Sequence, residues 1–188
     1  LKNSARKESG ALIFSILKDT TAPSIPVLTT TPKTTIFNSV EIEINGEVGT
    51  KVFINNRDTN KVISSNGKVS ITLDTNGTDG NQKFLITLKD ASNNQSTALI
   101  LIVLKDTSAP IIPELIDIPK TTNLNSVNLL MDGEPKSKVF INGVDTSRTI
   151  PLNRRINIIL DTSGEDGEKE FFITLKDTAN NESESITF

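Results

Sequence analysis

The sequence predicts an all-β fold, laid out as tandem seven-stranded β-sandwiches arranged end to end. Three observations carry this: short runs in which apolar and polar residues alternate, turn-forming dipeptides between those runs, and a repeat of the whole pattern at 87 residues. Alternation with period two puts one face of a strand on a core and the other in water. No stretch has the 3.6-residue period of an amphipathic helix.

The repeat sets the organisation. Lys18-Asp19-Thr20-Thr21-Ala22-Pro23 returns as Lys105-Asp106-Thr107-Ser108-Ala109-Pro110, and Pro32-Lys33-Thr34-Thr35 as Pro119-Lys120-Thr121-Thr122. Lys51-Val52-Phe53-Ile54-Asn55 returns as Lys138-Val139-Phe140-Ile141-Asn142, again without a gap. Roughly half of the aligned positions are identical, which makes two copies of one unit. On the same register the stretch 9–19 falls on 96–106, so residues 1–19 are the last strand of a preceding repeat. Residues 20–106 are a whole repeat, and 107–188 a repeat with a truncated last strand, since Phe188 aligns with Leu101. A start at Leu1 and ends out of phase with the repeat imply neighbouring repeats on both sides.

Taken in order, the first repeat opens with the linker prolines Pro23 and Pro26 and one strand after them. Val40, Ile42 and Ile44 alternate over 39–44, Val52 and Ile54 over 51–54, and a further run lies at 61–64. Val69, Ile71 and Leu73 alternate over 68–73, Phe84, Ile86 and Leu88 over 83–89, and the last strand covers 97–105. The second repeat keeps the pattern at Val127, Leu129 and Met131, at Val139 and Ile141, at Ile156, Ile158 and Leu160, and at Phe171, Ile173 and Leu175. Asn45-Gly46, Asn66-Gly67, Asp79-Gly80, Asn142-Gly143 and Asp166-Gly167 supply the turns between runs. About seven short strands in 87 residues fit an immunoglobulin-like sandwich. The Cys pair, core Trp and corner Tyr of antibody domains are missing, so the class is Ig-like and not true Ig. Ala98 to Leu104 is apolar at every position, which predicts a strand covered on both faces.

Composition narrows the function. The 188 residues contain no His, Cys, Trp or Tyr. Ser-His-Asp and Cys-His chemistry and His/Cys metal sites are thereby excluded. Twenty basic against 23 acidic residues, with eight Phe as the aromatics, give neither the charge nor the stacking platforms of a nucleic-acid binder. No apolar run approaches the roughly 18 residues of a membrane helix, so no membrane insertion is expected of this stretch. Asp74 to Gly80 superficially looks like a calcium-binding EF-hand loop. The position owing a bidentate Glu is Leu85, and a tight turn between strands is the better account. Paired carboxylates recur in both copies, as a module's turns do and a single active site does not; an enzyme is not expected.

A resemblance enters with Lys89-Asp90-Ala91-Ser92-Asn93-Asn94-Gln95-Ser96 and Lys176-Asp177-Thr178-Ala179-Asn180-Asn181-Glu182-Ser183, each leading into a strand, the first followed by Lys-Asp-Thr-Ser-Ala-Pro. These segments resemble the D-x-A-G-N-x-S turn and D-x-T-A-P linker of bacterial Ig-like repeats in large, repetitive cell-surface adhesins. Asn93 and Asn180 stand where that family usually has Gly, and Asn tolerates the left-handed backbone a Gly would serve there.

The resemblance implies an extracellular array at a bacterial cell surface, whose partners are neighbouring repeats of the same chain or copies of itself. It also raises calcium at module junctions, as related repeats can hold it. In a seven-strand Ig topology the chain entry, the loop between the second and third strands and the loop before the last strand share one pole. Oxygen ligands for a hard cation would come from Asp19, Glu47, Asp90 and Asn93 in the first repeat, and from Asp106, Glu134, Asp177 and Asn180 in the second. The competing account is that such Asp residues cap backbone amides in Asx turns without metal. The leading functional expectation is a spacer giving length and stiffness. An alternative is a self-assembling filament subunit, in which residues 9–18 complete the next chain's second module by donor-strand complementation. A glycan- or protein-binding module ranks below both, because the loops offer no aromatic platform.

Overall fold

The computed structural model describes residues 10–188, which form fifteen β-strands and no helix. Up to residue 105 these are β1 (Val27–Leu28), β2 (Thr34–Thr35), β3 (Ser39–Asn45), β4 (Lys51–Ile54), β5 (Arg57–Val62), β6 (Lys68–Asp74), β7 (Gly80–Lys89) and β8 (Leu99–Lys105). Beyond it follow β9 (Glu114–Asp117), β10 (Ser126–Asp132), β11 (Lys138–Ile141), β12 (Val144–Thr149), β13 (Arg155–Asp161), β14 (Phe172–Lys176) and β15 (Ile186–Thr187). The chain gathers into two compact units that do not follow the repeat. One takes the chain up to Val27 with Ile44–Val69 and Leu85–Leu99; the other takes Leu28–Glu43, Ser70–Phe84 and Ile100–Phe188, which leaves the second repeat whole.

In the second repeat one sheet has the order β13-β10-β9 and the other β12-β11-β14-β15. Strands β10 and β13 pair antiparallel along their whole length, from Ser126 opposite Asp161 to Asp132 opposite Arg155. The period-two pattern turns Leu129, Met131, Ile156, Ile158 and Leu160 inward from this sheet, where they meet Val139, Ile173 and Leu175 of the other. Each such aliphatic side chain contributes about 1.5–3 kcal/mol on burial, and together they form one core between two sheets.

The first repeat has the sheet orders β1-β3-β6 and β2-β8-β7-β4-β5. Its buried positions Ile42, Ile44, Val52, Ile71, Leu73, Ile86 and Leu88 are those of the second repeat's core shifted by 87 residues. The strand before β3 is split here. β1 pairs with β3, whereas Thr34 and Thr35 of β2 lie parallel to Leu104 and Lys105 of β8, giving eight strands where seven were expected.

Two further expectations change. The strand expected at 61–64 starts earlier, at Arg57, because Asn55 and Asn56 both have positive φ (49° and 66°) and close a two-residue hairpin that pairs Ile54 with Arg57. The apolar last strand is covered on one face and not on two: Leu101 and Val103 are buried, while Ile100 and Ile102 are 56% and 53% exposed. Its neighbours β2 and β7 occupy its edges, and edges are not faces. Residues 10–19 form no strand; the rest of the expected leading strand, residues 1–9, lies outside the described residues.

Lys105 ends β8 and is buried among these strands, 2% exposed. A lysine head in such a place needs acceptors, and its Nζ donates to the Ile36 carbonyl (3.1 Å) and to Asn38 Oδ1 (2.8 Å).

Candidate functional site

The turn before the last strand is built the same way in both repeats. Asp90 Oδ1 accepts the amides of Ser92 and Asn94, both at 2.8 Å, and its Oδ2 accepts Asn94 Nδ2 at 2.8 Å. Asp177 Oδ1 accepts the amides of Ala179 (2.8 Å) and Asn181 (2.9 Å), and its Oδ2 accepts Asn181 Nδ2 at 2.9 Å. Asn93 and Asn180 adopt φ of 64° and 69° to let the chain turn, and their amides close back on the carbonyls of Asp90 and Asp177. The Asn94 side-chain amide, joined by the backbone amides of Asn94 and Ser92, holds the Asp90 carboxyl below its ordinary pKa against the opposing effect of desolvation. Ser96 and Ser183 finish the turn, their Oγ accepting the amides of Leu88 and Leu175.

The second hydrogen of each Asn side chain reaches the linker. Asn94 Nδ2 donates to the Asp19 carbonyl at 3.2 Å, and Asn181 Nδ2 to the Asp106 carbonyl at 3.0 Å. The linker aspartates cap the chain that follows: Asp19 Oδ1 accepts the Thr21 amide and Asp106 Oδ1 the Ser108 amide. Glu134 Oε2 accepts the Ile111 amide at 3.2 Å, while the Glu47 carbonyl accepts the Thr50 amide and hydroxyl.

Asp106, Glu134 and Asp177 do line one small cleft of about 270 Å³, together with Ser108 and Ser137. Asn180 does not stand in its wall; its role is the turn backbone. Among the described residues no three Asp or Glu side chains come together closely enough to hold a metal ion. The carboxylates of Asp19, Asp90, Asp106, Glu134 and Asp177 each accept at least one backbone amide.

Sequence reasoning missed three groups. Asn94 and Asn181 carry the side-chain contacts attributed to the Asn before them; the signal available was that both repeats have two consecutive Asn. Asp79, set aside in the β6–β7 turn, accepts the Thr107 amide (2.9 Å) and the hydroxyls of Thr107 and Ser108, and the Thr107 amide is the largest influence lowering its pKa. Lys105 gave no signal beyond a charge ending an apolar strand.

No protein-family model and no curated protein matches the chain. Solved structures do. The chain is similar to the fibronectin(III)-like modules of Clostridium thermocellum CbhA over 86% of its own length and 90% of theirs, with a TM-score of 0.55 and 8% identity. A Ca2+-stabilised adhesin with which an Antarctic bacterium binds ice matches over 90% of this chain and 48% of its own, with a TM-score of 0.44 and 16% identity. A 1.5-MDa bacterial ice-binding adhesin matches over 89% and 63%, with a TM-score of 0.43 and 16% identity. At these identities the likeness is one of fold: the chain is all-β and fibronectin III-like.

Proposed function

We infer that the chain supplies structural spacer repeats to a bacterial surface adhesin or extracellular filament, adding length and limiting bending. The observation that carries this reading is the recurrence, 87 residues apart, of the bond from a turn Asn to a linker carbonyl: Asn94 to Asp19 and Asn181 to Asp106. An active site is needed once per molecule, whereas a device that fixes how each repeat is entered has to be rebuilt in every copy. The Pro residues that follow each of these carbonyls remove backbone freedom from the linker. The turn and linker motifs by which the sequence resembles adhesin repeats are the same segments, which sets the reading at the cell surface.

Small-angle scattering on chains of two, three and four concatenated repeats tests it. The maximum dimension should rise by a constant increment per repeat, and Asn94→Ala with Asn181→Ala should broaden the distribution without unfolding the repeats. A dimension that fails to grow with repeat number would sink the spacer reading. Melting in calcium and in chelator should coincide; a rise of several degrees with calcium would show that the Asp106–Glu134–Asp177 cleft takes an ion after all.

A further inference from the structure

The sequence contains four Asn-Gly pairs, beginning at Asn45, Asn66, Asn76 and Asn142. Asn is a thermolabile residue, and a following Gly makes it more so, because a residue without Cβ lets its main-chain nitrogen close on the Asn side chain. Attack needs two freedoms: the nitrogen must be able to lose its proton, and the Asn amide must be able to turn onto it. A hydrogen bond on either one restrains the reaction.

Three of the pairs are held. The Gly46 amide donates to the Gly67 carbonyl at 3.0 Å. Asn66 is held twice: the Gly67 amide donates to the Ser64 carbonyl at 2.9 Å, and Asn66 Oδ1 accepts the Ser64 hydroxyl at 2.6 Å and the Lys68 amide at 2.9 Å. Asn142 sits between β11 and β12 with its Oδ1 on the Phe172 amide at 2.9 Å. Asn76 differs. Its own backbone amide donates to Asp74 Oδ1 at 2.9 Å, but among the described residues neither its side chain nor the Gly77 amide makes a hydrogen bond. Both residues are exposed in the turn between β6 and β7. Gly77 has a φ of 133°, and the nearest atom to where its Cβ would stand is 3.7 Å away.

We propose that Asn76 is a self-modification site, converting through a cyclic imide to isoaspartate and aspartate in the folded protein. Hydroxide takes the Gly77 amide proton, the nitrogen attacks Asn76 Cγ, and Nδ2 gains a proton from water and leaves as ammonia. Water then opens the imide. Cleavage between the Gly77 nitrogen and the main-chain carbonyl carbon leaves isoaspartate, and cleavage between that nitrogen and Cγ leaves aspartate. In sum one water enters, one ammonia departs, and the turn gains a negative charge. The same turn carries Asp79, which holds Thr107 and Ser108 just beyond β8, so the lengthened backbone of isoaspartate arises beside the linker clamp. The second repeat has Ser163 at the equivalent position, its amide on Asp161 Oδ1 as that of Asn76 is on Asp74. With no side-chain amide to lose, it does not react.

Ageing the folded chain at mildly alkaline pH, followed by peptide mapping that separates isoaspartate from aspartate, tests this. The peptide carrying Asn76 should convert about tenfold faster, or more, than those carrying Asn45, Asn66 and Asn142, the factor expected when one hydrogen bond has to break first. Isoaspartate should appear along with aspartate, and in denaturant the four rates should converge. Equal rates in the folded chain overturn the proposal. So does aspartate without isoaspartate, which would mean direct hydrolysis with no imide. A preference for Asn76 that persists in denaturant also overturns it, since local sequence and not the fold would then be selecting the site.

Discussion

Left-handed backbone recurs at matched places in the two repeats: Asn55 and Asn142, Asn60 and Ser147, Asn93 and Asn180. At other places the geometry persists while the residue changes. Gly49 (φ 84°) becomes Lys136 (φ 73°), and Gly67 (φ 78°) becomes Arg154 (φ 69°). A side chain with Cβ costs about 1–2 kcal/mol in this region, and Lys136 and Arg154 stay there because their amides are bonded to the carbonyls of Ile150 and Pro151. Opposite effects follow. Gly49→Ala meets no atom within 4 Å, so its loss of about 1 kcal/mol is purely conformational. Lys136→Gly should gain about 0.5–1 kcal/mol, the relief of strain being offset in part by the freedom glycine has when unfolded. Thermal melts that move in the same direction for both would contradict this. The Asn-Gly turns were legible in the sequence because those residues prefer such backbone; Lys136 and Arg154 were not, since the hydrogen bonds made there, to Ile150 across the repeat and to Pro151 within the turn, override side-chain preference.

At the scale of the element, Gly46 and Gly133 follow β3 and β10 directly, where the core comes right up to the backbone. A Cβ on Gly46 would stand 2.6 Å from Leu88 Cδ1 and 3.2 Å from Ile63 Cδ1; on Gly133 it would stand 2.9 Å from Leu175 Cδ1 and 3.2 Å from Ile150 Cδ1. Leu88 and Ile63 are fully packed, so Gly46→Ala should cost about 1–3 kcal/mol, and Gly133→Ala less, its contact being looser. Chemical denaturation of the two variants measures the order; equal costs would show that the first repeat relaxes freely. Most strands were readable because alternation over five or more residues fixes which face is buried. β5 was not, because Arg57-Asp58-Thr59 is polar and its place is set by the hairpin turn and a register shift opposite Lys51 and Phe53. The one-sided burial of β8 was equally hidden, since an all-apolar run does not say which face has a neighbour.

Across the whole molecule, carboxylates depressed by their partners form a common response to acid. Arg155 grips Asp132 through two bonds of 2.8 and 3.0 Å and is the largest cause of its lowered pKa. Asp79, Asp90, Asp145, Asp161 and Glu182 are lowered by hydrogen bonds. A carboxyl with a depressed folded pKa adds stability that is present above its unfolded value, about 3.9 for Asp, and is lost as pH falls through the folded value. All of these groups are largely solvated, so each effect is small, but they share one sign. Melting temperature should therefore be level from about pH 5 to 7 and decline below about pH 4; a rise on acidification would refute it. The pole of linker and turn was foreseeable because Ig-like topology brings those loops together. What it does with its oxygens was not, since a carboxylate reads the same in a sequence whether it meets an ion or an amide.

The parallel placement of β2 against β8 has a mechanical consequence. Thr34 and Thr35 lie beside Leu104 and Lys105, near the entry and exit of the first repeat, so tension along the chain slides the two strands past each other. In that geometry the Leu104–Lys33 and Asp106–Thr35 backbone bonds, together with both bonds of the Lys105 ammonium, bear load at the same time and must rupture as a set, whereas a terminal antiparallel hairpin would unzip one bond after another.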